Sequence, residues 1–90
     1  MYRIFVTSQF KKDYKVCLKR NYKIDLLDEI ILELEINGTV PKNLRPHPLK
    51  GNYQKHWECH IFPDWLLIWL PDHKSKEIRL VRTGTHSDLF

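Results

Sequence analysis

The apolar residues of this chain change their spacing partway along, and that change limits which folds are open to it. Phe10, Tyr14, Cys17, Leu18 and Tyr22 recur at helical intervals, and so do Leu26, Leu27, Ile30, Ile31 and Leu34. Further on the period drops to two. Trp57, Cys59 and Ile61 fall on one side of a strand over 55–61, and His56, Glu58 and His60 on the other. Trp65–Leu70 is an unbroken apolar run, as in a central strand, and residues 77–83 read as a last strand. Residues 2–7, β-branched and aromatic, read as a first strand. Two consecutive helices followed by consecutive strands do not build alternating βαβ units. They imply an α+β fold, with an N-terminal strand, a helical hairpin, and a three-stranded antiparallel meander that the first strand joins in one sheet. The helices cover one face. The polar residues of the meander point to the other, which is expected to be partly open.

The punctuation agrees with this order. Ser8 is expected to cap the first helix and Asp25 the second, and Asn37-Gly38 to end it. Asn21-Tyr22-Lys23 separates the two helices. Pro63-Asp64 and Pro71-Asp72-His73-Lys74 are turn signals. Residues 39–54 hold three prolines and no clear period, and read as a loop. Gly84 ends the last strand and leaves a short tail to Phe90.

Ninety residues bury one modest core, so residues 1–90 are expected to form one domain. The chain has no apolar run long enough for a membrane span and no leader pattern at Met1-Tyr2-Arg3-Ile4-Phe5, so a cytoplasmic location is expected. Cys17 and Cys59 are expected to be reduced thiols packed as small apolar groups. The net charge of +4 is unevenly spread. Residues 9–23 carry six Lys/Arg against one Asp, and residues 24–37 carry five Asp/Glu and no Lys/Arg. A basic surface beside one acidic helix suits a polyanionic partner, with the acidic stretch turned away.

Histidines and charged residues supply the candidate chemistry. His56-x-Glu58-x-His60 on one strand face has the spacing of a metal set, although a polar strand face is more often simply solvated. No metal or cofactor is assigned. His60, Asp64, Arg82 and His86 fit RNA cleavage better. Attack by a ribose 2′-hydroxyl needs a base, a cation for the phosphate and an acid for the leaving oxygen. Histidine serves as acid or base near neutral pH, and the arginine fork grips phosphate. Each of these residues alone also reads as an ordinary surface group.

Four segments bring in a family. They are His47-Pro48-Leu49-Lys50-Gly51, Glu58-Cys59-His60-Ile61, Pro63-Asp64-Trp65-Leu66-Leu67-Ile68 and Arg82-Thr83-Gly84-Thr85-His86-Ser87-Asp88-Leu89-Phe90. In this order and spacing they resemble the YafQ branch of the RelE family, over the whole chain. The resemblance implies a RelE-like fold and a type II toxin paired with an antitoxin from a neighbouring gene. It also implies metal-independent cleavage of messenger RNA in the ribosomal A site. His47, His60, Asp64 and His86 match the family's catalytic set, with His86 as general acid and Arg82 on the scissile phosphate. Glu58, Lys50, Trp65 and Phe90 are expected near the RNA, Phe90 as a terminal aromatic beside the bases. The sequence departs from the family pattern at Trp57, where many relatives carry arginine, at Glu58 in place of aspartate, and at Trp69 in place of a frequent tyrosine. The competing reading is a basic RNA- or ribosome-binding module with no turnover.

Overall fold

In the computed structural model, which describes residues 1–90, the first half of the chain is β1 (Arg3–Val6), α1 (Ser8–Lys19) and α2 (Ile24–Asn37). The second half is β2 (His47–Pro48), β3 (Trp57–Phe62), β4 (Trp65–Asp72), β5 (Glu77–Gly84) and α3 (His86–Leu89). The five strands form one sheet in the order β1-β5-β4-β3-β2. β3, β4 and β5 are the expected antiparallel meander, and β1 joins it parallel to β5. The α+β reading therefore holds. Its strand count was one short, because β2 lies inside the segment expected to be loop. Two residues are too few to show a period, yet they pair His47 with Glu58 and Pro48 with Trp57.

Helix starts also differ from expectation. The cap of α1 is Thr7, whose hydroxyl accepts from the Phe10 amide, and Ser8 is the first helical residue. α2 begins after Lys23 with no side-chain cap, and Asp25 sits in its first turn, where it favours the helix dipole. Gly38 ends α2 at φ 74°, and a Cβ there would run into the Tyr2 ring.

Because β4 is apolar at both parities, it must be covered on both faces. Trp65, Leu67 and Trp69 turn toward the helices and join Phe10, Cys17, Leu27, Ile30 and Leu34 in the main core. Leu66 and Ile68 turn the other way and are covered by Leu89, Leu49, Tyr53 and Val81. The second face is thus only partly open: α3 and the 3-10 turn Gly51–Tyr53 roof its middle. Both cysteines are free and buried, as expected. Burial pushes the Cys59 thiol up to about 12, so it stays protonated. No helix is long and apolar enough to cross a membrane.

Candidate active site

Period-two alternation puts Glu58 and His60 of β3 on the face away from the helices, and the β2 pairing sets His47 opposite Glu58. His47 Nε2 lies 3.0 Å from Glu58 Oε2, and its Nδ1 lies 3.0 Å from the Arg45 carbonyl. The His47 ring stacks over His60 at 5.9 Å between centroids, and His60 faces His86 at 6.2 Å. Three imidazoles therefore stand in a row. The fold brings these rings together, which spacing alone could not show. Glu58 is 5 % exposed, so it forms the floor of the row more than an outer RNA contact.

His86 sits at the start of α3. Its Nδ1 lies 2.7 Å from Asp64 Oδ1, and its backbone N–H donates to the same oxygen at 3.0 Å. These hydrogen bonds, backbone first, hold the Asp64 carboxyl below its ordinary range, so it is an anion at neutral pH. An anionic acceptor fixes the Nδ1 proton and leaves Nε2 to exchange a proton with substrate. His60 sits in a setting that disfavours its charged form. Burial, followed by the Arg45 guanidinium, lowers its pKa and favours the neutral ring. Its Nδ1 is buried without a partner, so Nε2 is the nitrogen left to meet substrate. Glu58 Oε1 is likewise buried and unpaired. Unpaired buried polar atoms are costly in a merely structural setting.

α3 is held by a capping box. The Thr85 hydroxyl accepts from the Asp88 amide, and the Asp88 carboxylate accepts from the Thr85 amide. Arg20, at the end of α1, grips the same carboxylate at 2.6 and 3.1 Å. These bonds hold the Asp88 carboxyl well below the usual range, Arg20 first. A Cβ on Gly84 would sit 2.8 Å from Asp88 Oδ2, so glycine is what lets β5 turn this closely into α3.

Two expectations for site residues change, and one spacing that was weighed does not assemble. Arg82 does not present a free fork: its Nε and one Nη bind Asp13 at 2.7 and 3.2 Å. β1 stops at Val6, so β5 is an edge beyond Leu80, and Asp13 of α1 fills that edge by also accepting from the Thr83 amide. Trp65 is 3 % exposed, and its Nε1 donates to the Thr83 hydroxyl. It belongs to the core and not to a stacking platform. His56 precedes β3 and turns its Nδ1 to the Gln54 carbonyl, so the alternating His56-x-Glu58-x-His60 metal set does not assemble. Instead His47, Glu58 and His60 bring ligand atoms within 4.8 Å of one another.

Lys50 is exposed beside the turn Gly51–Tyr53. Phe90 is 64 % exposed and meets the Tyr53 ring edge-on at 5.7 Å. Sequence reasoning missed Arg45, Asp13, Arg20 and Tyr53. Arg45 carried one signal, its place between Leu44 and the Pro46-His47-Pro48 run. Asp13 and Arg20 carried none, because their partners lie 69 and 68 residues away.

Comparison with known proteins gives a consistent picture. The profile of the family described as "Bacterial toxin of type II toxin-antitoxin system, YafQ" matches residues 2–90. The chain is similar to the mRNA interferase toxin YafQ of Escherichia coli K12, at 38 % identity over 87 residues, 93 % of this chain and 90 % of that one. Among solved structures, the E. coli DinJ–YafQ complex superposes with TM-score 0.89 at 33 % identity, covering 100 % of this chain and 99 % of its counterpart. A metal-bound toxin from Helicobacter pylori gives TM-score 0.89 at 33 % identity, with 100 % of both chains covered.

Proposed function

Since the chain belongs to the bacterial YafQ family of type II toxin–antitoxin toxins, we propose that it is an mRNA interferase that cuts translated messenger in the ribosomal A site, using side chains for every proton transfer. The observation that carries this reading is the row of three imidazoles, with His60 biased to its neutral form and His86 held by the Asp64 carboxylate. His60 Nε2, on a ring biased to neutral, takes the proton of the ribose 2′-hydroxyl. The 2′-oxygen attacks phosphorus. The bond from phosphorus to the 5′-oxygen breaks, and His86 Nε2 delivers a proton to that oxygen. The products are a 2′,3′-cyclic phosphate and a 5′-hydroxyl. Arg45, the cation that acts on His60, and the remaining N–H groups of Arg82 supply positive charge for the phosphate. His47 is held beside His60 by contacts at both ring nitrogens, with the Arg45 carbonyl and the Glu58 carboxylate. Base, acid and cation are then all present as side chains, which leaves no step that calls for a metal. Lys50 and Phe90 flank the row as RNA contacts. The protein works in the cytoplasm, with a cognate antitoxin from a neighbouring gene that covers its basic surface.

Single-turnover cleavage on programmed ribosomes tests the assignment. Acid–base catalysis of this kind contributes about 10²–10⁴-fold, so His86→Ala should lose roughly that factor in rate. Ribosome binding should hold, because many basic residues share it. Wild-type protein that binds ribosomes and leaves messengers whole would instead support the binding module without turnover. Wild-type rates in His86→Ala would remove the acid assignment.

A further inference from the structure

Asp64, the carboxylate that holds His86, also borders a surface cleft of about 350 Å³. That is within the span of small-ligand sites, about 300–1,000 Å³. Three aromatic rings build it. Phe62 lies nearly parallel to Trp65, at 6.3 Å and 19°, and Tyr22 tilts against Trp65 at 4.9 Å. Phe62 is 45 % exposed and lines the cleft. Polar groups come from the link between α1 and α2. Asn21, held at φ 60°, brings an amide with both donor and acceptor, and Lys23 brings a cation. The remaining wall is Asp64 and Thr85, the residues that position His86.

We propose that this cleft is a nucleobase subsite that holds the base on the leaving side of the scissile phosphate. The inference rests on the ribonuclease reading and adds a specificity element to it. The direction follows from the row. If His60 takes the 2′-proton and His86 protonates the departing 5′-oxygen, the strand runs from His60 past His86. The nucleotide that owns the leaving oxygen then lies beyond His86, and the cleft bordered by the neighbouring Asp64 and Thr85 is placed to take its base. The exposed Phe62 ring, an amide and a cation match a base with its phosphate: any base can stack, the amide can read one edge, and the ammonium can meet the backbone. A protein segment would need the apolar surface, but it would not require the wall to be shared with the residues that position the general acid.

A double-mutant cycle tests the subsite on programmed ribosomes. The messenger carries either a normal or an abasic nucleotide immediately 3′ of the cut. Phe62→Leu keeps an apolar contact with Trp65 and removes the π-face, and melting temperature checks that it folds. Losing one base–aromatic stack costs roughly 5- to 150-fold, so the abasic messenger should slow the wild type by about that factor. It should slow Phe62→Leu by much less. Equal abasic penalties in the two proteins would overturn the subsite and leave the ribonuclease standing. Loss of antitoxin binding in Phe62→Leu with the full abasic penalty retained would make the cleft a protein-docking face, and would also overturn the proposal. Absence of cleavage by the wild type on any messenger would remove the ribonuclease reading, and the subsite with it.

Discussion

His60 is surrounded by groups that resist its protonation, and this has a measurable pH consequence. Burial and the Arg45 guanidinium act first, and the neighbouring imidazoles His47 and His86 add to them; Glu58 alone works the other way. The ring therefore gains its proton below the usual 6.5. A base must be unprotonated to work, so cleavage should persist at pH 6.5 and fall only on the acid side of it. Arg45→Ala removes one of the causes, so the acid limb should move up toward 6.5, visible in a pH–rate profile of single-turnover cleavage. The same shift has a sign for stability. The unfolded chain binds the proton more readily than the folded one, so this contribution is complete above 6.5 and shrinks as pH falls through it. At this scale the sequence was informative about identity and poor on partnership. His60, Asp64 and His86 were legible as chemistry-bearing residues within a recognisable motif order. That Arg82 spends its fork on Asp13 was not, because local pattern says nothing about a partner on α1 across 69 residues.

α3 shows how little structure is needed to aim the side chain proposed as the general acid. It is one turn long, and Leu89 is its only buried residue. Asp88 ties it down twice, through the capping box and through Arg20. Asp88→Ala breaks both. Loss of a helix cap costs about 1 kcal/mol, so the melting temperature should fall by only a few degrees. The cleavage rate constant should fall more than that implies, with substrate affinity held, because His86 loses its fixed bearing on Asp64. A fall in affinity alone would speak against this positioning role. Elements of this size escape sequence reading for a plain reason. A four-residue helix and a two-residue strand are shorter than the window in which periodicity exists, so α3 read as tail and β2 as loop. α1, α2, β3, β4 and β5 were legible because each spans enough residues to sort its apolar groups by face.

Across the whole molecule, the sheet separates two surfaces. The helices pack on one face, and the imidazole row lies on the other with α3. The acidic α2 is thereby kept off the catalytic face, while basic residues of α1 reach the edge where Arg20 meets Asp88. Association with an acidic antitoxin should be electrostatically steered, so its on-rate should fall steeply as salt rises while the off-rate changes little; stopped-flow mixing reads both. The parallel contact of β1 with β5 has a kinetic consequence. It sets Arg3 beside Glu77, a separation of 74 residues. Helix formation is local and takes about a microsecond, whereas pairing this distant must first close a long loop of chain. The sheet, and with it the imidazole row, can be complete only after that loop has closed. Since β5 leads directly into His86, competence should arrive as one late event. In refolding from denaturant, cleavage should return with the phase that buries the tryptophans, and lag the helical signal.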